Sequence, residues 1–202
     1  MSRYRWVIFS LGALLFLMSM FYRASSAVIA PDLSRDLSLN YEQLGLLGAV
    51  FFYAFALVQL PVGLLLDRIG ARLTMFGLNL LGGLGAILFA QAGGLTGALV
   101  GRSLLGLGMA ANLIGSLKFM TRWFSPRQFA TMQGLLLSVA TLGSMLATSP
   151  LALMVQAAGW RGSFKILAGV NLLLALALLI WGRDAPRDQD LARTGPQAEP
   201  AV

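Results

Sequence analysis

The sequence contains neither cysteine nor histidine, and only 11% of its 202 residues are charged. Without cysteine the chain forms no disulfides and supports no thiolate chemistry, and without both residue types it lacks the usual ligands of zinc sites. The sequence shows no nucleophile paired with a base and no cluster of metal ligands. It therefore predicts neither an enzyme nor a protein that holds a metal or another cofactor.

Apolar side chains make up 57% of the sequence instead. A soluble core of this length cannot hide so much apolar surface, because a small fold leaves a large area exposed. A soluble domain also carries roughly 25% charged residues. The net charge is +7 at pH 7, but the basic residues stand singly or in pairs between apolar runs. The sequence therefore predicts a lipid bilayer as partner and no nucleic acid.

Six stretches are long and apolar enough to cross a bilayer, which takes about 20 residues. The first is too long for a signal peptide and predicts a retained span. The polar segment 184–202, which contains three prolines, predicts a disordered cytoplasmic tail. We therefore expect an all-α membrane protein with a six-helix domain over residues 1–183, with spans at residues 6–30, 42–66, 73–92, 97–121, 129–154 and 163–182.

The distribution of lysine and arginine predicts the orientation, since short cytoplasmic loops carry an excess of both. With the N-terminus inside, nine of these cations lie in inner segments, and three, Arg35, Arg161 and Lys165, lie in outer segments. Both termini are therefore predicted to be cytoplasmic, in a multi-pass protein of the bacterial inner membrane.

The sequence also matches itself at an offset of 89 residues. Three spans follow each start of the repeat, and because three is odd, the second triplet is inserted upside down. Inverted-topology repeats of this kind occur in transporters; a chance match in low-complexity sequence is the alternative. The matching positions punctuate helices and include the pairs Pro61 and Pro150, Gly70 and Gly159, Arg72 and Arg161.

Three motifs give the sequence a family resemblance. They are Gly63-x-x-x-Asp67-Arg68-x-Gly70-x-Arg72 after span two, Gly101-Arg102-Ser103-Leu104-Leu105-Gly106-Leu107-Gly108 in span four, and Gly159-Trp160-Arg161 before span six. With them the chain resembles the major facilitator superfamily of secondary transporters. It is most similar to the organic-anion and sugar-phosphate permeases, on Phe21-Tyr22-Arg23, Pro31-Asp32-Leu33 and Gly115-Ser116-Leu117-Lys118.

This resemblance implies half of a transporter fold, because members have six spans in each of two halves. A second copy of this chain in the same orientation, a separately encoded half, or the rest of a longer protein would supply the other half. The resemblance also implies a conformational latch in the loop signature, formed by Gly63, Asp67, Arg68, Gly70 and Arg72. The alternative is that these arginines only hold the loop in the cytoplasm.

Polar side chains inside the spans predict a substrate pathway, because such groups face the bundle interior or a watery cavity. Helical spacing places them on one stripe each in spans one, two, four and five. The alternative is that small and polar residues let helices pack closely. The candidate substrate-binding residues are Ser19, Arg23, Gln59, Asn112, Lys118 and Thr141.

The charges within the spans, at Arg23, Arg102 and Lys118, are all positive. Arginine binds carboxylate or phosphate in bidentate fashion, which favours an anionic substrate. Glu42 and Asp67 stand at the edges of the second predicted span, and no aspartate, glutamate or histidine lies in the interior of a span, so the pathway offers no group for proton coupling. The sequence thus predicts a secondary transporter, or a half-transporter acting as a dimer, that moves a small organic anion by alternating access. A non-transporting six-helix module that assembles with or regulates another membrane protein is the alternative.

Overall fold

The structure, a computed structural model, describes residues 2–186, and its regular elements there are all α-helices. Five helical stretches are long and apolar enough to span a membrane, and α2 with α3 forms a sixth span bent by 42°. The predicted all-α, six-span fold is confirmed for the described residues. The helices are α1 (Ser2–Leu37), α2 (Tyr41–Leu57), α3 (Gln59–Arg68), α4 (Ala71–Ala90), α5 (Leu95–Met109), α6 (Asn112–Trp123), α7 (Pro126–Leu146) and α8 (Ser149–Trp181).

Two helices run beyond the predicted limits of their spans. Helix α1 has 36 residues, where residues 6–30 were predicted; at about 1.5 Å per residue it exceeds the roughly 30 Å of hydrocarbon, so its ends project from the bilayer. Helix α8 runs through the predicted loop between spans five and six, with non-helical torsions only at Gly159. The alanines of this loop favour helix, so one glycine marks the boundary between the spans.

The 89-residue repeat is visible in the backbone. Helices α2 and α3 meet at Val58, shortly before Pro61, and α7 and α8 meet at Ala147 and Thr148, shortly before Pro150. Proline lacks an N–H, and its ring clashes with the carbonyl four residues earlier, so the regular helix is interrupted before each proline. Two matching glycines at the starts of spans three and six also share a positive φ, which glycine adopts without steric cost: Gly70 at 95° and Gly159 at 68°.

Two arginines, again a matching pair, tie span three to span six. Arg72, at the start of α4, donates from Nε to the carbonyl of Leu179 near the end of α8 at 3.0 Å. Arg161, at the start of span six, donates from Nη2 to the carbonyl of Ala92 just after α4, also at 3.0 Å. Each arginine therefore satisfies a backbone acceptor that the end of a helix leaves without an intrahelical partner.

The packing of α4 on α5 depends on glycine. A Cβ added to Gly108 would overlap the backbone of Gly82 and lie 2.6 Å from the carbonyl oxygen of Leu78. A Cβ added to Gly85 would lie 2.7 Å from the amide nitrogen of Leu105. Small residues of this kind let transmembrane helices approach closely enough for van der Waals contact between their backbones. This packing holds span four, which contributes one wall of the cavity described below.

Candidate functional site

A cavity of about 280 Å³ lies at the level of the bend between α2 and α3. Helix α1 contributes one wall, the bent pair α2 and α3 a second, and the junction of α5 and α6 a third. Apolar side chains form most of its surface. The lining residues are Phe16, Ser19, Met20, Arg23, Phe55, Gln59, Met109, Ala110, Leu113 and Ile114.

Arg23 is the charged residue of this lining. The centre of its guanidinium lies 4.9 Å from the ring centroid of Phe55 and 5.5 Å from that of Phe52. Its Nε has no hydrogen-bond partner, and among the described residues no carboxylate forms a salt bridge with Arg23. Two aromatic rings therefore stabilise the cation, as in other cation–π pairs, while its charge is left without a counter-ion.

The structure brings three of the six candidate substrate-binding residues together in this cavity: Ser19, Arg23 and Gln59. Ser19 is almost fully buried, and its hydroxyl donates to the carbonyl of Met109 at 3.4 Å. Gln59 is half-buried at the start of α3. The polar faces predicted for spans one and two thus line the same cavity.

Asn112 does not line the cavity. Its side chain exchanges hydrogen bonds with the amide of Asn79, at 2.7 Å and 3.2 Å, and donates to the carbonyl of Leu15 at 3.0 Å. Asn171 donates to the carbonyl of Asn79 at 2.8 Å. These buried amides connect spans one, three, four and six, so the structure gives Asn112 the packing role that the sequence left as the alternative.

Lys118 and Thr141 also lie away from the Arg23 cavity. Lys118 Nζ forms a salt bridge of 2.8 Å with Asp67 and donates to the carbonyl of Leu66. Thr141 is exposed on α7, and its hydroxyl donates to the carbonyl of Leu137 in its own helix at 2.9 Å. The structure thus assigns Lys118 to the loop signature, and it places Thr141 on an outer face of the six-helix bundle.

The loop signature surrounds a second, charged pocket of about 230 Å³ at the inner end of the bundle. Asp67 follows the predicted second span, and its carboxylate accepts a hydrogen bond from Lys118 Nζ at 2.8 Å. A Cβ added to Gly63 would meet no atom within 4 Å, and Arg68 is exposed at the end of α3. The acid of the signature is therefore already paired within this half.

Asp184 completes the loop signature from a distant part of the chain. One carboxylate oxygen accepts a hydrogen bond from the backbone N–H of Arg72 at 2.9 Å, and the carboxylate fills the space beside Gly70 where a Cβ would stand. A carboxylate at the N-terminus of α4 satisfies a free N–H and complements the helix dipole. Asp184 was predicted to open the disordered tail and instead is ordered; residues 187–202 of that predicted tail lie outside the described residues.

Arg102 is fully buried, so it does not snorkel to the membrane surface. It donates from Nη1 to the carbonyl of Tyr22 at 3.3 Å and from Nη2 to the hydroxyl of Ser26. The rings of Phe51 and Phe89 lie 5.1 Å and 5.7 Å from its guanidinium. Arg102 therefore holds span one against span four.

Sequence reasoning missed the apolar part of the cavity wall, of which Phe55 and Met109 are examples. Both are apolar, and apolar residues in a transmembrane helix form no pattern that separates a cavity wall from a lipid-facing surface. Phe55 stands three residues after Phe52 and four residues before the candidate Gln59, and helical spacing puts the three on one face. That spacing is the signal that would have found Phe55.

The family model of the Major Facilitator Superfamily matches residues 11–201. The chain is 28% identical over 182 residues to a probable sulfoacetate transporter of Cupriavidus necator, covering 90% of this chain and 42% of that protein. It is 27% identical over 166 residues to a hexuronate transporter of Bacillus subtilis, covering 82% of this chain and 39% of that protein. The chain thus spans about two-fifths of the length of these curated relatives.

Solved structures share the fold. The crystal structure of a bacterial homologue of the human lysosomal transporter Spinster, in an inward-facing and unoccupied conformation, superposes with a TM-score of 0.82 at 20% identity, covering 93% of this chain and 45% of that chain. The chain belongs to the Major Facilitator Superfamily, whose members are multi-pass membrane transporters and not enzymes. The predicted family, its relatives among organic-anion transporters, and the half-fold architecture are confirmed.

Proposed function

We propose that this chain is half of a secondary transporter that moves a small organic anion by alternating access. The observation that carries the proposal is Arg23, a cation at the wall of a membrane-embedded cavity with no counter-ion among the described residues. A charge in such a site is costly unless a partner neutralises it, and an anionic substrate supplies that partner. The relatives named for sulfoacetate and hexuronate transport support the same class of substrate.

The proposed other half is a second copy of this chain, inserted in the same orientation. Helix α7 supports the need for a partner, since its exposed polar residues Ser138 and Thr141 lie on one helical stripe, which hydrocarbon solvates poorly. Halves of this family are related by an axis along the membrane normal, so an identical copy satisfies the geometry.

Native mass spectrometry of the purified chain in mild detergent tests this partner. We expect the mass of two chains as the main species, because each copy covers the polar stripe of the other. A single chain that gains mass only when a different six-span protein is co-expressed would replace the homodimer with a heteromer.

Both termini are proposed to face the cytoplasm, in the bacterial inner membrane. The bias of lysine and arginine toward the inner segments supports this orientation. The loop signature, with Arg68, Arg72 and the Asp67–Lys118 pair, then lies on the cytoplasmic side.

Transport is expected to proceed without a proton-binding residue in the cavity, because the lining contains no aspartate, glutamate or histidine. In proteoliposomes loaded with unlabelled anion, we expect exchange of labelled organic anion at a rate that an imposed pH gradient leaves unchanged for an anion of a strong acid, such as a sulfonate. Empty liposomes serve as the control. Uptake of a cation driven by protons would overturn the proposal.

The loop signature is proposed to act as the conformational latch. Asp67 would exchange its pairing with Lys118 for a helix N-terminus of the other half when the inner side closes. We expect Asp67→Asn to shift the balance between inward- and outward-open states while the affinity for substrate stays within about two-fold, since the residue lies outside the Arg23 cavity.

Labelling of single cysteines placed on the outer side measures this balance, and the natural absence of cysteine makes the background clean. Arg127→Gln is the matched control, because Arg127 is exposed near the same end of the bundle and lies outside both pockets. Equal labelling of Asp67→Asn and the unmodified protein would remove the latch from the mechanism.

A further inference from the structure

We infer that the Arg23 cavity is built for a compact anion with one charged head and an apolar body, and that it rejects polyhydroxylated sugar acids. This inference rests on the proposed transport function and adds the substrate class. It differs from the substrate named for the hexuronate relative. The charge, the wall and the volume of the cavity each support it.

The charge of the cavity fits one anionic head. Arg23 is its single cation, and the rings of Phe52 and Phe55 approach the guanidinium within 5.5 Å and 4.9 Å. A planar guanidinium binds one carboxylate or sulfonate through two parallel N–H donors. A second carboxylate on the same molecule would meet no second cation in this wall.

The wall fits an apolar body. Apart from Arg23, only Ser19 and Gln59 carry polar side chains, and the hydroxyl of Ser19 already donates to the carbonyl of Met109. A sugar acid brings four or five hydroxyl groups, most of which would enter this cavity without a partner. Each buried hydroxyl that loses its hydrogen bonds lowers affinity by roughly ten-fold. A methylene in the same place gains from contact with the aromatic and aliphatic wall.

The volume fits a compact ligand. The cavity measures about 280 Å³, which is just below the range of roughly 300–1,000 Å³ for small-molecule sites. A chain of about six carbons with one head group occupies such a space. A proposed second half would enlarge it, and a second copy would add a second Arg23, so a dianion has to be included in the test.

Three acids of equal carbon number separate these possibilities: hexanoate has one head and an apolar body, adipate has two heads, and gluconate has one head and a hydroxylated body. Their binding to the purified full chain in lipid nanodiscs is measured by isothermal titration calorimetry. Empty nanodiscs and neutral hexanamide control for partitioning into lipid. We expect hexanoate to bind at least about ten-fold more tightly than gluconate.

Two variants connect the result to the cavity. Arg23→Gln is expected to lower hexanoate binding to the level of hexanamide, and Arg127→Gln, on the surface, is expected to leave it unchanged. Leu113→Gln places a hydrogen-bonding group in the wall and is expected to raise the ratio of gluconate to hexanoate affinity by about ten-fold.

The outcomes separate this inference from the proposed function. Preferred binding of gluconate or adipate that depends on Arg23 would overturn the single-headed, apolar substrate while supporting anion transport. Binding of none of the three acids above the hexanamide control, or binding that is unaffected by Arg23→Gln, would overturn both.

Discussion

Replacement of Arg23 by glutamine is expected to lower anion transport in proteoliposomes by about 100-fold. The variant loses the positive charge of the cavity and the two parallel donors of the guanidinium, and hydrogen bonds to a charged group contribute roughly 1.5–3 kcal/mol each. Arg23 makes no salt bridge with a described residue. The thermal stability of the empty protein is therefore expected to change little beyond the loss of two cation–π contacts of about 0.5–1 kcal/mol each.

Arg23→Lys separates charge from geometry. Lysine keeps the charge but lacks the planar fork, so we expect an intermediate rate, about ten-fold below that of the unmodified protein. Arg127→Gln again provides the surface control. Full transport by Arg23→Gln in a protein of normal stability would show that the substrate passes without touching this cavity, and the proposed site would then be wrong.

Replacement of Gly108 by valine is expected to have the largest effect on stability. Any side chain at this position overlaps the backbone of Gly82 and crowds the carbonyl of Leu78, and neither backbone can move aside as a flexible side chain would. Overpacking typically costs about 1–3 kcal/mol, and we expect a value near 3 kcal/mol here because backbone is displaced. Unfolding in mixed micelles, followed by circular dichroism, measures the loss.

Gly77→Ala is the matched control for that experiment. Gly77 lies on the same helix as Gly82, but a Cβ there would meet nothing within 4 Å. Since alanine favours helix over glycine by roughly 0.5–1 kcal/mol, this variant is expected to be as stable as the unmodified protein or slightly more stable. Equal stability of Gly108→Val and Gly77→Ala would contradict the close packing of α4 on α5.

Much of the fold was predictable from the sequence, because hydrophobic runs and charge bias are properties of single segments. The six spans follow from run length, and the repeat locates both helix breaks, since Pro61 and Pro150 each disrupt the preceding turn. The end of span five was less predictable. Gly159 alone separates it from span six. The residues on both sides of Gly159 are helical, although their polarity predicts a loop.

The candidate site was predictable only in part, because a stripe on a helix indicates a face but not the neighbour of that face. Ser19, Arg23 and Gln59 converge on one cavity as their stripes indicate. Asn112 shares the stripe of span four but meets the amide of Asn79, a pairing across 33 positions that no local pattern records. Asp184 likewise reaches the loop signature from 112 positions away in the sequence.

The two arginine ties have a mechanical consequence. Arg72 connects the beginning of span three to the end of span six on one side of the membrane, and Arg161 connects the beginning of span six to the end of span three on the other. Spans three and six are thus hydrogen-bonded to each other at both ends, and sliding of one along the other would break the hydrogen bonds of both arginines together. These two spans form a stiff frame, so in the proposed alternating-access cycle the movement occurs where spans one, two, four and five meet the proposed other half.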